Sequence, residues 1–319
     1  MGASPPGRFP SNSPSMKAVA VFNPAAGAYR AANRWRKLKP LLEKRLGRID
    51  ELPTRHPGHA SELTEQALHA GAERIFSVGG DGTWHEVVAG YLATPKENRQ
   101  ALLGFCPAGS GCDFARHMRL PTGSGLADML CGDRVRKIDA LRAQVSTDDG
   151  PQTTYLTNLA AFGLGGDVAA LVARTGKPLG GTASYLLATL AVLLRSRARR
   201  YRLRLDDQEI EQRAHAVILA NTSTTGGGML IAPEANAEDG RFEVITFADM
   251  SRLALLRRFP KIYSGDHLQE PGITLRQARR LEVLALDRDR DAPLNIDGEL
   301  YGKLPAVFEI LPGILPVLA

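Results

Sequence analysis

The chain has 319 residues, of which 44% are hydrophobic and 23% charged, a size and balance that fit two globular domains and exclude a wholly disordered or fibrous chain. Its longest apolar run, Tyr185 to Leu194, is about half of the roughly 20 residues a membrane-spanning helix needs, so the protein reads as not integral to a membrane. The net charge of +6 is moderate, but basic residues cluster in Leu193 to Leu205 and Leu255 to Tyr263, leaving nucleic acid, anionic lipid and plain solvated surface as readings.

The first fifteen residues are rich in Pro, Gly and Ser and lack an apolar signal region, so they read as a disordered leader. From Lys17, "KAVAVFN" predicts a strand, "NPAAG" a turn, and Trp35, Leu38, Leu42 and Leu46 mark a helix in which Pro40 is a candidate kink. Arg48 to Leu52 reads as a second strand and Gly58 to Gly71 as a second helix. "RIFSVGG" is a strand running into a glycine turn, followed by a helix marked by Trp84, Val87, Val88 and Tyr91. "ALLGFCPAGSGCDFARHM" repeats the order strand, glycine loop, helix. Such β-α-β units predict a three-layer α/β domain with a mostly parallel sheet over residues 16–134.

Beyond Val135 the strand-like runs "RKIDALRAQV", "TTYLTNLAAFG", "RAHAVILANTS", "GRFEVITFA", "RRLEVLALD" and "AVFEILP" predict a mainly β domain, residues 135–319. Helices are expected near Asp167 to Arg174, Thr182 to Arg197 and Ser251 to Tyr263. "LPGILPVLA" reads as a final strand or as a segment packed back on either domain. Cys106, Cys112 and Cys131 form no C-x-x-C pair and suggest neither a disulfide framework nor a structural zinc site, in keeping with a reducing cytoplasm.

The chemistry concentrates in Gly79-Gly80-Asp81-Gly82-Thr83. A turn without side chains lets backbone N–H groups approach an anion, and the helix start adds further donors. An ordinary ligand-free turn is the alternative, although a carboxylate beside a phosphate implies an intervening metal. Ligands of open parallel sheets collect beyond the carboxyl ends of the strands, where Asn23 to Gly27, Leu52 to Gly58 with Thr54, Gly79 to Thr83 and Pro107 to Asp113 all fall. Phosphoryl transfer also needs cations and usually a carboxylate base, for which Asp81, Asp113, Asp297 and Glu299 are candidates. Taken alone, Asp297-Gly298-Glu299 reads more readily as a hairpin turn than as a catalytic pair. Asp239-Gly240 ends an acidic stretch that reads either as a cation site or as a bare turn.

In this order, "NPAAG", "GGDGT", "PAGSGCDFAR", "GGGMLIAPEANAEDG" and "DGE" resemble the diacylglycerol kinase catalytic family, particularly its soluble bacterial lipid kinases related to sphingosine and ceramide kinases. The resemblance spans Asn23 to Glu299 and implies an ATP- and Mg²⁺-dependent kinase with a nucleotide-binding α/β domain, a β-rich lipid-substrate domain and a cleft between them. By position, Gly79, Gly80, Asp81, Gly82 and Thr83 look like the phosphate loop, with Asn23, Thr54, Gly109 and Ser110 as further nucleotide contacts. Glu299 looks like the catalytic base, Asp297 and Asp113 like part of the network around the active-site Mg²⁺, and Asp239 with the carbonyls of Asn236 and Arg241 like a structural metal site. The chain departs from the family at His85 and Cys112, where asparagine is usual.

The implied reaction moves the γ-phosphoryl group of ATP to the hydroxyl of a diacylglycerol-like or sphingoid or ceramide-like lipid. Rival readings are a nicotinamide-dinucleotide kinase and a catalytically inactive nucleotide- or lipid-binding protein. The expected location is cytoplasmic with peripheral contact to an anionic membrane surface. No nucleic-acid partner is expected, and the oligomeric state, a homodimer included, stays open.

Overall fold

The computed structural model describes residues 18–27, 30–109, 111–176, 181–287 and 292–319; the expected leader and Ser110 lie outside them. The first half alternates strand and helix: β1 (Ala18–Phe22), α1 (Arg30–Leu46), β2 (Asp50–Pro53), α2 (His59–His69), β3 (Arg74–Gly79), α3 (Asp81–Ala93), β4 (Leu102–Pro107), α4 (Asp113–His117) and α5 (Ser124–Cys131). The strands run parallel in the order β4-β3-β1-β2. Successive strand side chains face opposite ways. Hence Val19, Val21, Ile75 and Phe105 pack with α2 and α3, while Ala20, Phe76 and Val78 pack with α1 and α5. α1 runs unbroken through Pro40. The fully buried Trp84 stacks on Phe114 with ring centroids 4.7 Å apart, locking α3 to α4 beneath the two glycine loops.

The second half is rich in antiparallel strands: β5 (Val135–Thr147), β6 (Gly150–Leu156), β7 (Leu159–Gly163), α6 (Leu164–Thr175), α7 (Gly181–Leu193), β8 (Arg199–Leu205), β9 (Gln208–Ala220), β10 (Phe242–Ala248), α8 (Arg252–Arg258), β11 (Ile273–Ala278), β12 (Arg280–Ala285), β13 (Pro293–Ile296) and β14 (Glu299–Leu318). The expected single run "TTYLTNLAAFG" is two strands, β6 and β7. It breaks at Thr157-Asn158, whose N–H groups point to the Asp297 carboxylate instead of a neighbouring strand. Residues 199–205, read from sequence only as a basic cluster, form β8: Tyr201, Leu203 and Leu205 are buried, while Arg202 pairs outward with Glu209 and Glu211 of β9.

The carboxyl-terminal segment is a strand that joins the two halves. β14 lies antiparallel to β5 for much of its length, and at its end Val317 sits parallel beside Leu103 of β4. Its register shifts fall between Lys303 and Ala306 and between Leu311 and Leu315, around Pro305 and Pro312-Gly313, residues a regular ladder cannot use. Among the described residues no helix is long and apolar enough to cross a membrane.

Candidate active site

Two glycine loops meet at the carboxyl end of the parallel sheet. Both Ala108 and Gly109 donate their N–H to the Gly79 carbonyl, at 2.7 and 3.1 Å, so the loop after β4 hangs on the loop after β3. A Cβ on Gly109 would lie 2.5 Å from the Gly80 Cα, closer than real Cβ contacts, which explains why glycine faces glycine here. Asn23 ties in the loop after β1: its side-chain amide donates to the Thr83 hydroxyl at 3.2 Å, while its carbonyl oxygen accepts the Ala25 N–H at 3.0 Å. Thr54 hangs on the end of β1 through its N–H to the Phe22 carbonyl, 2.8 Å. Glu86, unremarked in the sequence, accepts the N–H groups of Gly58 and Ala60 and so holds the loop after β2 against α3.

The carboxylates organise the space above these loops. Asp81 accepts the N–H groups of Asp113 and Phe114 at 2.9 and 3.1 Å, capping the short helix α4. Asp113 pairs with Arg116 and accepts the Gly227 N–H at 2.9 Å, linking α4 to the loop after β9. Burial pushes the Asp81 carboxyl up to about 6 against its backbone donors, with the charges of Asp113 and Asp297 adding to the rise. Asp113 is raised as well, chiefly by burial. Carboxylates so crowded are a poor place for bare negative charge and a good one for a hard cation.

Asp297 is held differently. Its Oδ1 accepts the Asn158 and Leu159 N–H groups at 3.1 and 2.9 Å, and its Oδ2 faces the Thr157 N–H at 3.3 Å and His85 Nδ1 at 3.1 Å. A carboxylate has about four lone-pair sites, and here protein donors take all of them. The resemblance implies a place for Asp297 in the Mg²⁺ network; in the structure its carboxylate also ties together α3, the Thr157-Asn158 turn and the Asp297-Gly298-Glu299 turn. Asp81 and Asp113 each keep acceptor capacity, and their oxygen donors fit Mg²⁺.

Asn23, Thr54, Gly80, Asp81, Gly82, Thr83, Gly109, Asp113, Asp297 and Glu299 all line one cavity of about 1100 Å³. Gly79 supports it from behind through the carbonyl that holds Ala108 and Gly109. Asn236, Asp239 and Arg241 lie apart from this lining, in a turn where Asp239 Oδ1 accepts the Arg241 N–H at 2.9 Å and Asn236 Oδ1 accepts the Glu238 N–H at 3.1 Å. Cys112 holds a left-handed backbone (φ 52°) just before α4, and burial raises its thiol to about 11, which keeps it protonated and unreactive at neutral pH.

The far end of the cavity is apolar and comes from the second half of the chain. Leu164 and Val168 of α6, Leu193 of α7, Phe247 of β10 and Leu255 of α8 wall it, and no single sequence motif marks them. Tyr185 of α7 donates its hydroxyl to the Gly298 carbonyl at the junction between the polar and apolar ends.

Residues 17–143 match the family model of the diacylglycerol kinase catalytic domain, and residues 159–319 that of the YegS C-terminal NAD kinase beta sandwich-like domain. A protein named diacylglycerol kinase from Staphylococcus haemolyticus (strain JCSC1435) is 28% identical over 290 residues, covering 90% of this chain and 83% of its own length. A namesake from Staphylococcus aureus (strain bovine RF122 / ET3-1) is 28% identical over 305 residues, with 95% and 92% covered. In fold, the chain is similar to a diacylglycerol kinase crystal structure from Bacillus anthracis str. Sterne, with TM-score 0.70, 17% identity and 96% and 98% coverage. Yeast NADH kinase is more distant, with TM-score 0.50 and 12% identity over 97% of this chain and 87% of the kinase. Taken with the glycine loops and the carboxylates around one cleft, these matches show that the chain belongs to the diacylglycerol kinase catalytic-domain family, with a carboxyl-terminal half of the YegS type.

Proposed function

We propose that the protein is an ATP- and Mg²⁺-dependent lipid kinase that phosphorylates the hydroxyl of a membrane lipid. The observation that carries this reading is the single cavity whose one end is built from glycine loops and carboxylates and whose other end is walled by Leu164, Val168, Leu193, Phe247 and Leu255. The polar end suits a triphosphate, and the apolar end suits an acyl chain. A dinucleotide acceptor would need polar partners along its second half, where these walls offer aliphatic and aromatic carbon, so the nicotinamide-dinucleotide reading fits less well.

In this reading the loops at Asn23, Thr54, Gly80 to Thr83 and Gly109 hold the nucleotide, and Asp81 and Asp113 would hold Mg²⁺, which would supply positive charge against the triphosphate. The lipid oxygen attacks the γ-phosphorus, its O–H proton passes to the Glu299 carboxylate, and the bridging oxygen leaves with ADP. Asp297 sets the position of Glu299 through the turn they share. The test is transfer of labelled γ-phosphate to lipids in mixed micelles, with and without Mg²⁺. Glu299→Gln is expected to fold normally and to lose about two orders of magnitude or more in turnover, the range for a lost acid–base group. Wild-type activity in that variant would remove Glu299 from the role of base. ATP binding with no transfer to any lipid would favour the inactive binding protein.

A further inference from the structure

The turn between β2 and α2 carries a second set of ligand atoms, of different chemistry from the carboxylates above the glycine loops. His56, His59 and Glu62 follow one another at intervals of three, and one donor atom from each lies within 4.8 Å of the others. The His59 N–H donates to the His56 carbonyl at 3.2 Å, closing a turn that stacks the two imidazoles with ring centroids 4.6 Å apart and planes 18° from parallel. Glu62 stands three residues on from His59 in α2, and so on the same face of that helix. Glu86 accepts the Gly58 and Ala60 N–H groups at 2.9 and 3.0 Å and fixes the backbone that presents all three.

The protons are disposed to leave lone pairs. His56 Nδ1 lies 3.0 Å from the Pro57 carbonyl, which can only accept, so the proton is on Nδ1 and the neutral ring offers Nε2. Histidines that bind metals hold their second nitrogen in this manner. His59 Nδ1 accepts the Arg55 N–H at 3.1 Å, so that nitrogen is unprotonated too. A metal would compete with the amide for the one lone pair of the neutral ring, and Arg55 is exposed, so its N–H can turn to water instead. Among the described residues the Glu62 carboxylate has no hydrogen-bond or ion-pair partner.

We infer that His56, His59 and Glu62 form a site for a divalent transition-metal ion, Zn²⁺ or a neighbour such as Co²⁺. Two imidazole nitrogens and one carboxylate oxygen are donors that such ions take, whereas Mg²⁺ prefers an octahedron of oxygens, which Asp81 and Asp113 suit better. An ion about 2.0–2.2 Å from each donor draws the three to about 3.4 Å from one another, a small closure for side chains at the surface. The remaining position stays open to water. Arg55, His56, Pro57 and Gly58 also line the polar end of the cavity, so an ion held here adds positive charge beside it. The site goes beyond the lipid-kinase reading and does not depend on it.

The experiment takes the full chain without an affinity tag, treated with chelator and then kept in excess Mg²⁺, and titrates it with Zn²⁺ by calorimetry and with Co²⁺ by visible absorption. The wild type is expected to bind one equivalent of Zn²⁺, and Co²⁺ to show the intense bands of a four- or five-coordinate ion. His56→Ala and Glu62→Gln, both at exposed side chains, are each expected to weaken Zn²⁺ binding by about tenfold or more. His69→Ala, at the other end of α2, is expected to leave it unchanged. A wild type that binds no stoichiometric Zn²⁺ overturns the inference, as does binding that keeps its strength in both His56→Ala and Glu62→Gln. Binding that His69→Ala removes would place the ion elsewhere and overturn it as well. Melting curves check each variant's fold, and if one is unfolded the other decides.

Discussion

His117 on α4 shows how a single side chain couples the two halves of the molecule to pH. Its Nδ1 accepts the Ser223 N–H at 3.1 Å and lies 3.0 Å from the Ser223 hydroxyl, so the ring is held unprotonated at that nitrogen. Burial, with Arg136 adding to it, pushes its pKa down to about 4 from an ordinary 6.5. The unfolded chain takes up a proton as pH falls through 6.5 while the folded chain resists it, so His117 lowers stability progressively between pH 6.5 and about 4. Melting curves at pH 7 and pH 5 are expected to show the wild type losing about 2–4 °C more than His117→Gln, the scale of roughly 1 kcal/mol. Equal losses would exclude this role. At the same scale, the meeting of the glycine loops and Asp81 in one cleft was legible in the sequence because ligand sites of parallel sheets gather beyond the strands' carboxyl ends. The four donors on Asp297 were not, because His85 and the Thr157 to Leu159 amides reach it only through the fold.

Elements tell the same story in backbone terms. The β-α-β alternation of the first half could be read from periodicity because strands β1, β3 and β4 are mostly apolar and buried and helix α2 has one buried face. β8 escaped notice because its outward positions are all arginine, and charge masked a period of two. β14 was obscured by prolines and glycines that the ladder accommodates by shifting register. The glycine loops make a stricter demand than any strand. In Gly109→Ala the new methyl would meet the Gly80 backbone, atoms that no rotamer change can move aside. The variant is therefore expected to spread the two loops, leaving the cores intact but weakening ATP affinity by about tenfold or more, a shift of roughly 1.4 kcal/mol in binding. Calorimetric titration with ATP checks this, and unchanged affinity would mean that the loops yield more readily than their close contact implies.

For the whole molecule, the proposed lipid-kinase function makes the apolar end of the cavity the side expected to face a bilayer. Helix α7 turns Tyr185, Thr189 and Leu193 to the cavity, while Leu186 and Leu187, 39% and 54% exposed, project elsewhere, and Leu194 at its end is 55% exposed. α8 packs beside it and adds the exposed Leu253, with Tyr263 just beyond. Arg195, Arg197 and Arg257 are exposed around this apolar group, and among the described residues they carry no side-chain ion pair. Arg200 and Arg202 of β8, by contrast, pair with glutamates on β9 and belong to the sheet surface. In the proposed lipid-kinase reading, exposed apolar side chains near cations without ion pairs among the described residues suit an anionic membrane surface. Each basic residue near such a surface contributes about 1 kcal/mol, so Arg195→Ala with Arg257→Ala should weaken partitioning onto anionic vesicles roughly thirtyfold and leave neutral vesicles little changed. Leu187→Glu should weaken both, since it removes apolar contact and adds a negative charge. Sedimentation with vesicles of each kind at low and high salt separates the two effects. Equal partitioning of the wild type onto neutral and anionic vesicles at every salt concentration would remove the electrostatic part of the docking and leave the apolar face alone to carry it.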